Sequence, residues 1–329
     1  MYNENIKFAL WCDFVERSFL DGEFKSLLDD GVINGATSNP SIFKSVFLSS
    51  QAYQEDKKRL SQMSPKETYE AMAVYDIQKA ADKMSKNFES GDDGFISIEV
   101  DPNFCDDANS TYEEGRRLYE TIGRKNVMIK VPATNAGYEA IEMLMSDGIH
   151  VNATLIFSYN QAKKAIEAMQ KGANRFDEKT KPKGVISIFV SRFDRLLDEK
   201  LRSKNLPVGK VGIYNALKIY DMIEDAEQSN IRALFASTGV KGDAYPSAYY
   251  ITELLMPNSI NTAPLDTIKA FVDTKICTVA KRPTSSEIDS FFEELKSNGI
   301  DMDSIAQELL HNGLKAFKVA FKEILESLK

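Results

Sequence analysis

Short apolar segments alternate with longer stretches of helical periodicity along most of the chain. Strand–helix alternation of this kind favours a parallel sheet with crossover helices. Roughly eight such units over this length match an α/β fold of the closed (β/α)8 or TIM barrel type. A doubly wound open sheet is the second candidate, but no G-x-G-x-x-G motif follows the first strand. The predicted strands lie at residues 8–12, 32–36, 95–98, 127–131, 149–153, 184–190, 233–236 and 259–262.

Residues that cap or start helices predict where several of the helices begin. Asp13 and Glu16 have capping-box spacing, which predicts a helix near Asp13 and offers a purely structural role for that carboxylate. Pro40 is well placed as the first residue of the next helix. Ser158 and Gln161 have the same capping spacing before the helix that follows the fifth strand.

The chain from residue 285 onward contains only helical patterns, with an amphipathic stretch at residues 305–328. Because this segment follows the eighth strand, we expect one barrel domain over residues 1–329, with residues 285–329 packed on it as a helical extension. Leu314, Phe317 and Phe321 form an apolar stripe on the last helix. The stripe fits either the core or a subunit interface, and we favour the core.

Composition and charge argue against several classes of function. The formal net charge of -8 disfavours a broad nucleic-acid or anionic-membrane surface, but permits a small basic pocket for a phosphorylated substrate. Residues 1–7 are polar, and no segment approaches transmembrane length. The three cysteines are scattered, and His150 and His311 lack nearby metal-ligand partners, so we expect neither a disulfide framework nor a metal site. Together these features predict a cytoplasmic protein without nucleic-acid or membrane partners.

The fourth predicted strand contains a lysine in an otherwise apolar segment, N-V-M-I-K-V-P at residues 126–132. A buried ammonium is costly unless it is paired or neutral, so Lys130 requires an explanation. An apolar environment favours the neutral amine, which is the form that attacks a carbonyl carbon to make a Schiff base. The alternative is a structural lysine at a strand end whose amine reaches a carboxylate or water. The strand alone leaves both interpretations open.

Nearly every predicted strand ends in a side chain able to do chemistry or bind a ligand. In a barrel these ends converge on one face, where the catalytic residues of this fold lie. A lysine, two carboxylates and two asparagines on one rim exceed what turn formation requires. In chain order the polar residues are Asp13, Thr37, Asn39, Glu99, Lys130, Asn152, Thr154, Ser187 and Ser237.

These residue types suit Schiff-base chemistry beside a phosphate-binding region. The two carboxylates can divide the acid and base steps if their environments set their pKa values apart, and the asparagines can orient sugar hydroxyl groups. Arg192 and Lys241, together with the Ser237 hydroxyl, can hold a phosphate. The structural alternative for Arg192 is an ion pair with Asp194 or with a surface carboxylate.

Several long motifs, in the right order, resemble transaldolase, a class I aldolase-type enzyme of the pentose phosphate pathway. The final helices also resemble the C-terminal segment of that family. Because the motifs are distributed along most of the chain and several are long, the resemblance is not explained by chance. They are W-C-D at 11–13, G-A-T-S-N-P-S-I-F at 35–43, I-E-V-D-P at 98–102, I-K-V-P-A-T at 129–134, V-N-A-T-L-I-F-S at 151–158, F-V-S-R at 189–192 and A-S-T-G-V-K at 236–241.

The resemblance implies a role for each matching catalytic residue. Lys130 becomes the Schiff-base lysine, and Asp13 the base that acts on the donor hydroxyl as the C3–C4 bond breaks. Glu99 becomes the acid/base group that works through a water held by Thr154. The implied reaction moves a dihydroxyacetone unit from sedoheptulose 7-phosphate or fructose 6-phosphate to glyceraldehyde 3-phosphate or erythrose 4-phosphate. It needs neither a metal nor an organic cofactor.

The resemblance also implies the binding positions and the oligomeric state. It suggests a monomer or a homodimer. Branches of the family differ near Lys241 in which basic residue reaches the phosphate, so that position follows less directly. The implied substrate-binding residues are Thr37, Asn39, Asn152, Ser187 and Phe189, and the phosphate-binding residues are Arg192, Ser237 and Lys241.

Two other functions compete with this one. Fructose-6-phosphate aldolase, a lyase of the same superfamily, has Gln at the position of Glu99, Tyr at that of Phe189, and a much shorter chain. A barrel that binds sugar phosphates without turnover would be free to lose the catalytic residues, which are intact here.

Cys12 departs from close relatives, which more often carry an aliphatic or acidic residue beside the catalytic aspartate, and we expect it to alter packing only.

Overall fold

In a computed structural model that describes residues 6–329, eight parallel strands close into a barrel. Each strand pairs with the next along the chain, and the pairing of the first with the eighth completes the ring. The predicted (β/α)8 barrel is therefore confirmed. The strands are β1 (Ala9–Cys12), β2 (Gly35–Thr37), β3 (Ile96–Glu99), β4 (Val127–Pro132), β5 (His150–Ile156), β6 (Gly184–Phe189), β7 (Ile231–Ala236) and β8 (Ile260–Ala263).

Helices surround the barrel, and two single-turn 3-10 segments, Gln51–Tyr53 and Pro102–Phe104, join them. No helix among residues 6–329 combines the length and apolar character needed to cross a membrane. The helices are α1 (Arg17–Asp21), α2 (Glu23–Asp29), α3 (Pro40–Ser49), α4 (Gln54–Arg59), α5 (Pro65–Lys83), α6 (Ser85–Ser90), α7 (Ala108–Ile122), α8 (Asn135–Ser146), α9 (Tyr159–Arg175), α10 (Ser191–Ser203), α11 (Val211–Asp225), α12 (Tyr249–Glu253), α13 (Leu265–Thr274), α14 (Ser285–Ser297) and α15 (Met302–Ser327).

Alternation along each strand decides which side chains enter the barrel. On β4, Val127, Ile129 and Val131 belong to one hydrophobic cluster, whereas Met128 belongs to a second cluster that also contains Trp11 and Phe95. Lys130 shares the parity of Met128, so its side chain also points inward. Phe95 and Met128 lie at the amino-terminal ends of β3 and β4, whereas the polar Glu99 and Lys130 lie nearer the carboxyl ends.

Two local predictions differ from the structure. Glu16, not Asp13, caps the helix after β1, because its carboxylate accepts from the backbone N–H of Phe19 and α1 begins only at residue 17. The predicted capping role of Asp13 is therefore wrong. The second strand begins later than predicted, since the N–H groups of Val32 and Ile33 both donate to the carbonyl of Leu27 and close the preceding helix.

The C-terminal helix α15 packs against α3, α5, α10 and β5. Phe317 and Phe321 are buried there and Leu314 is half-buried, so the core interpretation of the stripe is confirmed for the two phenylalanines. The division into one domain with a helical extension stays a prediction. The prediction of a polar N-terminus covers residues 1–7, and residues 1–5 of that segment lie outside the described residues.

We expect Phe321→Ala to lower the free energy of unfolding by about 3–5 kcal/mol, because it removes a buried aromatic ring and leaves a cavity. The Phe321 ring packs edge-on against Tyr69, with 5.2 Å between ring centroids. Val319, exposed on the same helix, gives the matched control, and Val319→Ala should stay within about 0.5 kcal/mol of wild type. Urea denaturation measures both variants, and equal stabilities would contradict the packing assigned to α15.

Candidate active site

A cavity of 610 Å³ opens at the carboxyl ends of the strands and brings most of the predicted site residues together. The other three, Glu99, Asn152 and Thr154, are buried on β3 and β5. The predicted residues that line the cavity are Asp13, Thr37, Asn39, Lys130, Ser187, Phe189, Arg192, Ser237 and Lys241.

Strand register places the central groups side by side. Glu99 on β3 pairs in register with Lys130 on β4, which in turn pairs with Asn152 on β5. Residues in register on neighbouring strands point to the same face of the sheet, so all three side chains enter the barrel at one level. The same ladder aligns Thr154 with Pro132, one layer closer to the carboxyl end.

The Lys130 amine lies deep in the site, with the side chain only 6% exposed. Its Nζ donates to the carbonyl oxygen of Ser38 at 3.1 Å. The Glu99 Oε2 atom is 3.7 Å from the same nitrogen, close enough for charge attraction but beyond hydrogen-bond distance. The amine is therefore held in place by one carbonyl and faces a carboxylate.

Glu99 is a buried carboxyl group that the protein leaves without hydrogen bonds. Among residues 6–329 neither of its carboxylate oxygens has a hydrogen-bond partner, and the same holds for the buried hydroxyl of Thr154. Burial raises the Glu99 pKa to about 7 against the opposing attraction of Lys130, and the charge of Asp13 adds to the rise. A group with this pKa can both donate and accept a proton near neutral pH.

Asp13 lines the same cavity as Lys130, in a different environment from that of Glu99. Its Oδ1 atom accepts a hydrogen bond of 2.6 Å from the Thr37 hydroxyl, which itself lies 2.7 Å from the Thr262 hydroxyl. Burial raises the Asp13 pKa, while the Lys130 charge and the Thr37 hydrogen bond oppose that rise. Adjacent Cys12 is buried in the core between strands and helices and does not line the cavity.

A short hydrogen-bond chain orients Asn152. The Ser187 hydroxyl donates to its Oδ1 atom at 2.7 Å, and its Nδ2 atom donates to the Ser97 hydroxyl at 3.0 Å. Asn39 is constrained differently, because its Oδ1 atom caps α3 by accepting from the N–H of Ile42. That cap directs the remaining NH2 group of Asn39 to act as a donor at the cavity wall.

The other end of the cavity is positively charged. The Arg192 guanidinium lies over the Phe189 ring, 4.9 Å from its centroid. The proposed ion pair with Asp194 is wrong, because the Asp194 Oδ1 atom accepts from the N–H of Gly212 and no ion pair of Arg192 occurs within residues 6–329. Burial lowers the Arg192 pKa to about 10. Ser237 has a left-handed backbone (φ 55°), which places its hydroxyl 3.1 Å from that of Ser191.

Sequence reasoning missed several residues that shape the site. Thr262 ends the eighth predicted strand, so the search for polar side chains at strand ends, applied to this strand as well, would have found it. Ser97 lies two residues before Glu99 on the same strand, so its side chain points to the same face, and this spacing could also have been used. Phe317 and Arg195 line the cavity from helices, and nothing in their local sequence indicated that.

Glu99→Gln should show how strongly burial of the carboxylate affects stability. Because the folded-state pKa of about 7 lies above that of the unfolded chain, the stabilising effect is present below about pH 4.3 and is lost as pH rises through 7. We therefore expect the variant to be more stable relative to wild type at pH 8 than at pH 5, by roughly 1–3 kcal/mol. Thermal unfolding at both pH values measures this. Exposed Glu308→Gln is the control, and an equal offset at both pH values would contradict the raised pKa.

Known proteins similar to this chain agree with one another. A transaldolase of Campylobacter jejuni (strain RM1221) is 48% identical over 331 residues, covering 98% of this chain and 99% of its own. A transaldolase of Helicobacter pylori (strain Shi470) is 42% identical over 325 residues, with the same coverage. Among solved structures, an aldo-keto reductase complexed with NADPH aligns over 86% of this chain and 83% of its own at 8% identity, but its TM-score of 0.38 is too low to support any conclusion. The sequence profile described as transaldolase/fructose-6-phosphate aldolase matches residues 10–328, and the chain belongs to that family.

Proposed function

We propose that this protein is a transaldolase that transfers a dihydroxyacetone unit from a ketose phosphate to an aldose phosphate through a Schiff base on Lys130. The observation that carries the proposal is the buried Lys130 amine, 3.7 Å from the Glu99 carboxyl group and in register with it. The amine lines a cavity that Asp13 and the cationic side chains of Arg192 and Lys241 also line. The donors are sedoheptulose 7-phosphate or fructose 6-phosphate, and the acceptors are glyceraldehyde 3-phosphate or erythrose 4-phosphate.

The first stage forms the Schiff base. The neutral Lys130 amine attacks the C2 carbonyl carbon of the ketose and gives a carbinolamine, which loses its hydroxyl group as water. That departure needs a proton, and Glu99 is suited to supply it because its pKa lies near 7. The partnerless oxygens of Glu99 and Thr154 support a bridging water between them that carries the proton.

The second stage breaks and remakes a carbon–carbon bond. Asp13 takes the proton of the C4 hydroxyl, the C3–C4 bond breaks, and its electron pair passes into the iminium to leave an enamine on Lys130. The released aldose phosphate is exchanged for the acceptor. The enamine carbon then attacks the aldehyde carbon of the acceptor, and Asp13 returns the proton to the new alkoxide. Hydrolysis of the new Schiff base releases the product ketose and restores the amine.

The remaining predicted residues bind the substrate. The Thr37 hydroxyl holds the Asp13 carboxylate at 2.6 Å, so it orients the base as well as the sugar. The amide groups of Asn39 and Asn152 and the Ser187 hydroxyl are suited to hydrogen-bond sugar hydroxyls, and the Phe189 ring walls the cavity. Arg192, Ser237 and Lys241 hold the phosphate at the cationic end.

Glu99 and Phe189 distinguish this proposal from the lyase of the same family. The lyase branch carries Gln and Tyr at those positions, whereas this chain carries a carboxyl group with a pKa suited to proton transfer. A binding barrel without turnover would have no use for a partnerless buried carboxyl beside a lysine, because such a group costs stability. We further propose a cytoplasmic location. We also propose a monomeric or homodimeric state, and sedimentation of the purified protein tests that state.

We expect borohydride reduction in the presence of fructose 6-phosphate to leave a three-carbon adduct on Lys130, since reduction fixes the Schiff base. Peptide mass spectrometry locates the adduct. Added erythrose 4-phosphate should deplete it while sedoheptulose 7-phosphate accumulates. Lys130→Met should abolish both results with the fold intact, whereas Lys125→Met, which removes an exposed lysine just before β4, should change neither. Release of free dihydroxyacetone would instead indicate the lyase, and an unmodified Lys130 would overturn the mechanism.

Gly313→Ala tests whether α15 helps to position the phosphate site. A Cβ atom at residue 313 would lie 3.1 Å from Arg192 Nη1 and 2.9 Å from Leu155 Cδ2, so both side chains must shift. We expect KM for fructose 6-phosphate to rise about 5- to 30-fold, equivalent to about 1–2 kcal/mol of lost binding. Adduct formation with neutral dihydroxyacetone should not change. Asn312→Ala, at an exposed neighbour, is the control, and an unchanged KM for Gly313→Ala would show that the close approach has no functional effect.

A further inference from the structure

Arg195 stands on α10, three residues after Arg192, and both side chains line the same cavity. Residues three apart on a helix are neighbours on its surface, with roughly 5–6 Å between their Cβ atoms. Arg195 is exposed, whereas Arg192 is half-buried. The first two turns of α10 therefore present two neighbouring arginines to the site.

These two cations repel each other, and the protein does not neutralise them locally. Within residues 6–329 neither guanidinium takes part in an ion pair with a carboxylate. The positive charge of Arg195 adds to burial in lowering the Arg192 pKa, and the Glu99 carboxylate opposes that change. For Arg195 itself, burial lowers the pKa, and the Tyr250 hydroxyl is the group that raises it.

The surroundings of this pair are also cationic or neutral. Lys241 and Ser237 line the same cavity, and the Ser237 hydroxyl lies 3.1 Å from that of Ser191, which precedes Arg192. Asp13 is the only acidic residue among the described lining residues, and Thr37 holds it at the catalytic end. A repelling pair of arginines without a carboxylate costs stability unless an anionic ligand compensates, and guanidinium forks match the oxygens of a phosphate.

We propose that Arg195 is a second phosphate-binding residue, which clamps the substrate phosphate together with Arg192 and selects phosphorylated sugars over neutral ones. The identity of the substrate in this inference rests on the proposed function. The binding of a phosphate group by Arg195 does not. Arg192, fixed against Phe189, supplies a rigid contact. Arg195, the more exposed of the two, contacts the phosphate from the solvent side.

Two measurements on Arg195→Gln test the proposal. Calorimetric titration with inorganic phosphate requires no turnover, and we expect its Kd to rise about tenfold or more, because a charge-assisted contact to a dianion is lost. In steady-state kinetics, KM for fructose 6-phosphate should rise by a similar factor while kcat changes little. Formation of the Lys130 adduct from neutral dihydroxyacetone should match wild type, which a general structural defect would not allow.

Arg202→Gln is the matched control. Arg202 is exposed and lies seven residues further along α10, on the same face but about 10 Å further from the cavity. The Arg202→Gln substitution removes the same charge, and its Kd for phosphate and KM for fructose 6-phosphate should both stay close to the wild-type values. Arg195→Lys, which keeps the charge but not the planar fork, should give an intermediate Kd.

The outcomes separate the two proposals. Unchanged phosphate Kd and KM in Arg195→Gln, or an equal loss in Arg202→Gln, would overturn the role of Arg195. A wild-type protein that binds phosphate through Arg195 but forms no adduct on Lys130 would overturn the proposed function and leave the second guanidinium established.

Discussion

The buried pair of Lys130 and Glu99 is the interaction on which the rest of the site depends. Removing two charges from water costs several kcal/mol for each ion, and mutual attraction offsets that cost only when the geometry is good. Here Lys130 Nζ and Glu99 Oε2 lie 3.7 Å apart. The effect of burial on the Glu99 pKa exceeds the effect of this attraction, and the pKa rises to about 7. The carboxyl group is consequently near its midpoint at neutral pH, where a proton can move in either direction. Structural stability is reduced at this point in exchange for a group that can serve as acid and base.

The barrel keeps the Lys130 site apart from the proposed anion-binding site. Strand register sets Glu99, Lys130 and Asn152 at one level of the interior, while the proposed phosphate-binding residues lie on α10 and in the loop after β7. The two regions have opposite electrostatic requirements, because proton transfer needs a carboxyl group that can lose its charge, whereas phosphate binding needs permanent cations. Because both sets of residues line one cavity, the proposed sugar phosphate would place its carbonyl carbon at the amine and its phosphate at the arginines.

The C-terminal helix completes the cavity from outside the barrel. Phe317 is buried and still lines the site, and Gly313 leaves room for the Arg192 guanidinium against the helix backbone. A helix so close to a charged side chain restricts where that side chain can go, which lowers the entropy lost when phosphate binds. If Arg192 binds phosphate as proposed, the packing of α15 affects that affinity, although the helix contributes none of the proposed acid or base groups.

The sequence by itself determined the barrel class and the ring of polar residues at its rim, because alternating strand and helix periods and polar strand ends are local patterns. It also singled out Lys130, since a charge within an apolar strand is visible without a structure. Only the tertiary structure decided that Asp13 accepts from Thr37 instead of capping a helix. It alone brought Phe317 and Arg195 to the cavity from helices. These outcomes depend on contacts between residues far apart in the chain and on the burial those contacts produce, and no local pattern records either.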